Sequence, residues 1–179
     1  MARNESVLGI YATRNAVESG IAALREAGFS NTDISLLLPE SLGTRELSTE
    51  KGTKAPEGAT AGAGSGAVIG GALGWLIGIG ALAIPGLGPF IAAGPIMAAL
   101  AGVGVGGAVG GFTGALVGLG IPEYEAKRFE GRLRKNGILI SVHCEASDEI
   151  DRATTILRRT GAEDISTTTE SSAKGVGRI

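Results

Sequence analysis

Residues 58–122 read GATAGAGSGAVIGGALGWLIGIGALAIPGLGPFIAAGPIMAALAGVGVGGAVGGFTGALVGLGIP. Between Glu57 and Glu123 there is no Asp, Glu, Lys, Arg or His. Gly62, Gly66, Gly70, Gly74 and Gly78 recur every fourth residue. After a break at Ile84-Pro85-Gly86-Leu87-Gly88-Pro89 the pattern returns with Gly102, Gly106, Gly110, Gly114 and Gly118. Residues four apart stack on one face of an α-helix, so each run becomes a groove without side chains. Such grooves let helix backbones approach closely, as in small-xxx-small packing. The expected unit is a helical hairpin, Thr60 to Ile84 and Ile91 to Leu119, turning at Pro85 and Pro89. The ten glycines are its helix-packing and oligomerisation residues.

Each glycine inside a helix costs roughly 1 kcal/mol relative to alanine. Burial must offset that cost, and two settings supply it. In a bilayer, unpaired backbone groups are expensive enough to force helix formation, and each arm has about the length that one span requires. In an oligomer, the glycine faces of several copies pack into a dry core. Lys51 and Lys54 precede the stretch and a basic segment follows it, while the Ile84–Phe90 turn is uncharged. By the positive-inside rule a membrane hairpin then has both flanks in the cytoplasm, at the inner membrane. The alternative is a soluble cytoplasmic assembly. Met1–Ser6 lacks the basic and apolar regions of a signal peptide.

Outward from this stretch the composition is ordinary. The chain has 179 residues, 31 of them Gly, and a net charge of −2, which leaves no nucleic-acid footprint. Val7–Tyr11 reads as a strand. Thr13 caps a helix with Ala16, Val17, Ile21 and Leu24 inward, ended by Gly28. Asp33–Leu38 is a second strand, stopped by Pro39. Residues 40–57 are polar and read as a linker. Pro122 opens a charged helix in which Tyr124, Phe129 and Leu133 share an apolar side. Lys127, Arg128, Arg132, Arg134 and Lys135 crowd its later turns. These five are candidate contacts to an anionic membrane surface; the alternative is a helix docked on the sheet with its basic face in solvent. Ile138–His143 is a third strand. Ser147 caps a helix from Asp148 to Thr160 with Ile150, Ala153, Thr154 and Leu157 inward, and Gly161 ends it. Asp164–Thr169 is a fourth strand.

An internal repeat links the flanks. Leu24-Arg25-Glu26-Ala27-Gly28 leads to Asp33-Ile34-Ser35, and Leu157-Arg158-Arg159-Thr160-Gly161 leads to Asp164-Ile165-Ser166. Two such halves build an α+β, ferredoxin-like βαβ-(insert)-αβαβ sandwich with two helices on one face. The organisation is then 1–39 for the first half, 40–57 linker, 58–121 glycine hairpin, 122–170 basic helix plus second half, and 171–179 a disordered tail.

Val7-x-Gly9-x-Tyr11, Ala16-Val17, Leu24, Gly28-Phe29 and Asp33-Ile34-Ser35 resemble the N-terminal module of bacterial general-stress (heat-induced stress) proteins. Arg134–Val142 and Ile156–Ala162 are similar to the segment that follows it in related stress proteins. The resemblance implies a stress-associated bacterial protein and brings no catalytic residues.

No stretch announces a reaction. His143 and Cys144 are adjacent on a strand, so their side chains point to opposite faces. The single cysteine excludes an intrachain disulfide and a cysteine metal cluster. Gly62–Gly66 lacks the Gly-Lys-Ser/Thr ending of a phosphate loop, and Gly102–Gly107 follows no βαβ strand. Asp148 with Glu149, and Glu163 with Asp164, read as helix-start and turn carboxylates. The expectation is a non-enzymatic protein without cofactor or metal. Its partners are further copies of itself and a lipid bilayer. A small-ligand-sensing module is a further alternative.

Overall fold

The computed structural model describes residues 5–39, 41–42, 80–84, 87–93 and 111–169. In chain order the elements are β1 (Glu5–Tyr11), α1 (Arg14–Glu26), β2 (Ile34–Pro39), β3 (Gly80–Ile84), β4 (Gly88–Ala93), α2 (Gly111–Gly118), α3 (Glu123–Leu133), β5 (Ile138–Cys144), α4 (Ser147–Arg159) and β6 (Glu163–Thr169). The fold is α+β. Its strands form one sheet in the order β3-β4-β2-β5-β1-β6, every neighbouring pair antiparallel. The first strand made is therefore an interior one, flanked by β5 and β6.

Local chemistry sets the two βαβ halves. Thr13 is extended and its hydroxyl accepts from the Ala16 N–H at 3.3 Å, which caps α1. Gly28 and Gly161 lie at φ +95° and +94°, a left-handed conformation that a side chain would strain. Ala146 rather than Ser147 occupies the N-cap of α4, so that helix begins one residue earlier than expected. Strand alternation then divides the core. Val7 and Tyr11 of β1 join Ile34, Leu36, Ile138, Ile140, Val142, Cys144 and the buried faces of α1 and α4. Leu8 and Ile10 join Leu37, Leu139 and Phe90 against α2 and α3.

The α1/α4 side shows why small residues sit in the first half. Tyr11 donates to or accepts from Thr160 Oγ1 of α4 at 2.6 Å. Its ring passes under Gly20 of α1, where an added Cβ would stand 2.3 Å from the phenol oxygen. Gly9 faces α4 in the same way, its added Cβ 3.2 Å from the Ala162 Cβ. Burial pushes the Tyr11 phenol above its ordinary pKa.

Three expectations are corrected. Helices cover both faces of the sheet, because α3 presents Ala126, Phe129 and Leu133 to the face opposite α1 and α4. Tyr124 is not on that apolar side. It is 63% exposed, since a position five residues before Phe129 falls well off the Ala126–Phe129–Leu133 stripe. The third correction falls in the middle of the uncharged stretch. Gly80–Ile84 and Gly88–Ala93 are strands, not the ends of the expected helices Thr60–Ile84 and Ile91–Leu119. β3 pairs with β4 (Leu82 opposite Phe90), and β4 pairs with β2 (Leu38 opposite Ile91, Pro39 opposite Phe90). The open edge of β2 offers hydrogen-bond partners that a helix turn would leave unused, and Phe90 gains a buried place in the second core.

The second expected helix survives in its last part as α2. The remaining expected helical residues, 60–79 and 94–110, lie outside the described residues, as do the linker apart from 41–42 and the tail from 171. No described helix is long and apolar enough to cross a membrane.

Candidate functional site

The α2/α3 layer holds the sequence-derived site residues that can be placed. Gly114 and Gly118 are on α2. Gly62, Gly66, Gly70, Gly74, Gly78, Gly102, Gly106 and Gly110 lie outside the described residues. α2 buries Phe112, Ala115 and Leu116 against the sheet, which turns Val117 and Gly118 outward. A Cβ added at Gly118 would meet no atom of the described residues within 4 Å, so against them this glycine makes no close packing contact.

Four of the five basic residues have acidic partners. Lys127 pairs with Glu123 at 2.6 Å and Arg134 with Glu130 at 2.7 Å, both one helical turn apart. Arg132 reaches Glu163 at 2.6 Å and Asp164 at 3.2 Å, and Arg128 also pairs with Asp164. Asp164 sits at φ +51°, a conformation aspartate tolerates better than most residues, and its side chain is only 7% exposed. The Glu163–Asp164 pair is thus an anchor that clasps α3 to the start of β6. Lys135 is exposed at the end of α3.

Polar ties fix this layer in place. Thr113 of α2 donates to Glu130 of α3, Ser166 of β6 donates to Glu125, and Thr168 donates to the Leu119 carbonyl. The Thr113 hydrogen bond, then the Arg134 guanidinium, hold the Glu130 carboxyl below its ordinary pKa. Lys127 lowers Glu123 in the same sense.

Between α2 and α3 runs a groove of about 610 Å³. Thr113, Gly114 and Val117 line one wall and Glu123, Lys127, Glu130, Gly131 and Arg134 the other. Sequence reading missed this groove and the role of Glu130. The Glu-x-x-x-Lys and Glu-x-x-x-Arg spacings at Glu123/Lys127 and Glu130/Arg134 were a legible signal for intrahelical pairing.

Among the described residues, the side chains considered for chemistry do not converge. Cys144 is buried and its thiol donates to the Val142 carbonyl at 3.6 Å, while His143 on the adjoining position faces the other way. Asp148 and Glu149 lie in the first turn of α4, and Glu149 accepts from the Glu145 N–H at 2.8 Å. Among the described residues no group of three or more His, Cys, Asp or Glu side chains can hold a metal. Family models, curated proteins and solved structures were all compared with this chain, and none matches.

Proposed function

We propose that this is a non-enzymatic, self-assembling protein in which a ferredoxin-like domain displays two uncharged, glycine-rich arms that bury themselves against other copies. The β1–α1–β2 and β5–α4–β6 segments form the domain. The arms are residues 58–79 and 94–110. The resemblance to general-stress modules adds a stress-associated setting.

The observation that carries the reading is the pairing of β4 with both β2 and β3. It ties the middle of the uncharged stretch to the same sheet as β2, which precedes the stretch, and β5, which follows it. Residues 94–110 run from β4 to α2 and suffice for at most one span, which would put β4 and α2 on opposite sides of a bilayer. Residues 58–79 suffice for at most one span, which would put β2 and β3 on opposite sides of a bilayer. Out-and-back crossing needs about twice that length. Burial among copies meets the need for cover without separating paired strands. The ion pairs of Lys127, Arg128, Arg132 and Arg134 support a docked α3 in preference to one laid on anionic lipid.

A membrane reading keeps one form, favoured by the uncharged run from Gly58 to Pro122. In it the arms dip into a single leaflet without crossing. Flotation of the full-length, detergent-free protein with liposomes, with particle mass read on the same fractions, separates the two. A large lipid-free particle is expected. Protein that floats and resists alkaline wash supports the leaflet reading instead. A monomer that binds no lipid overturns both. Gly70→Leu or Gly110→Leu is expected to shift the particles to smaller sizes.

A further inference from the structure

We infer that Asn136 is a deamidation site, protected while the C-terminal cap of α3 is closed and open to conversion whenever that cap opens. The inference does not depend on self-assembly.

The described helices end alike, with one exception in sequence. On α1, Phe29 N–H donates to the Leu24 carbonyl at 3.1 Å and Gly28 N–H to the Arg25 carbonyl at 3.0 Å. Ile121 and Gly120 close α2 in the same way on Leu116 and Val117, and Ala162 and Gly161 close α4 on Leu157 and Arg158. This pair of bonds needs one left-handed residue, here Gly28, Gly120 and Gly161 at φ +95°, +91° and +94°. α3 closes with the same two bonds, Gly137 N–H to Arg132 at 2.9 Å and Asn136 N–H to Leu133 at 3.1 Å. Its left-handed residue is Asn136, at φ +64°, and the glycine stands one place later. Glycine is required there, because a Cβ on residue 137 would lie 2.8 Å from the Arg132 carbonyl oxygen. The left-handed place falls to asparagine, which tolerates it better than most residues. The outcome is an Asn-Gly dipeptide with Asn136 exposed and Gly137 buried. Of Asn4, Asn15, Asn31 and Asn136, only Asn136 precedes glycine.

That dipeptide has a reaction of its own. The Gly137 backbone nitrogen attacks Cγ of Asn136. The N–Cγ bond forms, the Cγ–Nδ2 bond breaks, and ammonia leaves with the proton of the backbone amide. Water then opens the cyclic imide. Cleavage at Cγ gives aspartate, and cleavage at the backbone carbonyl gives isoaspartate. Glycine suits the first step, because no Cβ crowds the attacking nitrogen or limits its approach. In the fold that nitrogen is engaged, since its N–H is held by the Arg132 carbonyl. Attack requires this bond to break, so the folded rate is the open-chain rate scaled by the fraction of time the cap is open. Either product weakens the cap that failed. Isoaspartate inserts an extra carbon into the main chain just before buried Gly137 and before Ile138, which pairs with Tyr11. Aspartate sets a carboxylate at the negative end of the α3 dipole. A chain that has opened there is marked, and it closes less well afterwards.

Incubating the full-length protein in native buffer and in guanidinium chloride, then digesting it for mass spectrometry, tests this. An isoaspartyl methyltransferase reads isoaspartate on the same peptides. Asn15 and Asn31, which precede Ala16 and Thr32, serve as internal references. In denaturant, conversion at Asn136 is expected to outpace both references and to exceed its own rate in native buffer by about tenfold or more. No excess over the references in denaturant overturns the site. Equal Asn136 rates in the two conditions overturn protection by the cap. A variant extends the test to the consequence. Asn136→Gly gives α3 the left-handed glycine of the other helices and is expected to keep an equal or higher thermal midpoint. Over repeated cycles of unfolding and refolding, the midpoint of the unsubstituted protein is expected to fall while that of Asn136→Gly holds. Parallel loss in the two proteins overturns the claim that conversion weakens the cap.

Discussion

The two faces of the sheet are built on different terms. On the α1/α4 face, two amphipathic helices of similar length cover alternating apolar side chains, and one buried phenol spans β1, α1 and α4. On the α2/α3 face, α2 is short, glycine-bearing and held by hydroxyl-to-carboxylate and hydroxyl-to-carbonyl ties. That face also contains a serine hydroxyl, Ser141 Oγ, buried without a hydrogen-bond partner. The first face is closed by packing and by the Tyr11–Thr160 hydrogen bond. The second is closed only in part and keeps a groove, two exposed apolar side chains and an open glycine. The lesson is that one sheet can close one face tightly and leave the other partly open.

The comparison can be broken most severely at Phe129, fully buried under α3. Phe129→Ala is expected to cost about 3–5 kcal/mol in urea unfolding. Hydrogen exchange should accelerate first in α2 and α3 while α1 and α4 stay protected. Uniform acceleration would mean that the faces are not separable. Gly137→Ala comes next. Its Cβ would lie 2.8 Å from the Arg132 carbonyl oxygen, a backbone atom that cannot move aside, so a loss of about 1–3 kcal/mol is expected.

Smaller effects sharpen the contrast between the faces. Tyr11→Phe removes the hydrogen bond to Thr160 and should destabilise by on the order of 1 kcal/mol. Ser141→Ala removes a buried hydroxyl that has no partner and should stabilise by a similar amount, on the order of 1 kcal/mol. Equal signs for the two variants would contradict this account of the faces. The smallest effect is a pH dependence. The folded Glu130 carboxyl has a lowered pKa, so its stabilisation is fully present above the ordinary carboxylate value and disappears as pH falls through the folded value. Acid should therefore loosen α2 from α3, read as faster exchange in α2. Thr113→Val, which removes the largest cause of the shift, should flatten that profile.

Much of the α1/α4 face was legible in the sequence. Val17, Ile21 and Leu24 recur at helical spacing, Thr13 caps, and Gly28 and Gly161 mark helix ends through a conformation few other residues adopt. The repeat around Asp33 and Asp164 located both returning strands. The other face was harder for a physical reason. Glycine every fourth residue suggests helix, and Gly80–Ile84 and Gly88–Ala93 contain no polar residue, so neither shows the apolar/polar alternation of a half-buried strand. The Pro85-Gly86 turn signal was visible, but it fits a strand hairpin as well as a helical one. The α2/α3 groove depends on which side of a short helix meets the sheet. That is decided by Phe112 and Leu116 packing on residues distant in the chain, a long-range fact outside any local pattern.

The interior position of β1 has a consequence for synthesis. β1 leaves the ribosome first, but both of its sheet neighbours, β5 and β6, lie beyond residue 137. The uncharged stretch is therefore translated and exposed before the domain that anchors it can close. Pairing of such distant segments is intrinsically slow. During that interval the nascent chain presents apolar surface without a partner, the condition under which chains aggregate or engage chaperones. Nascent chains translated side by side on one messenger would meet at that stage, with this apolar surface still uncovered.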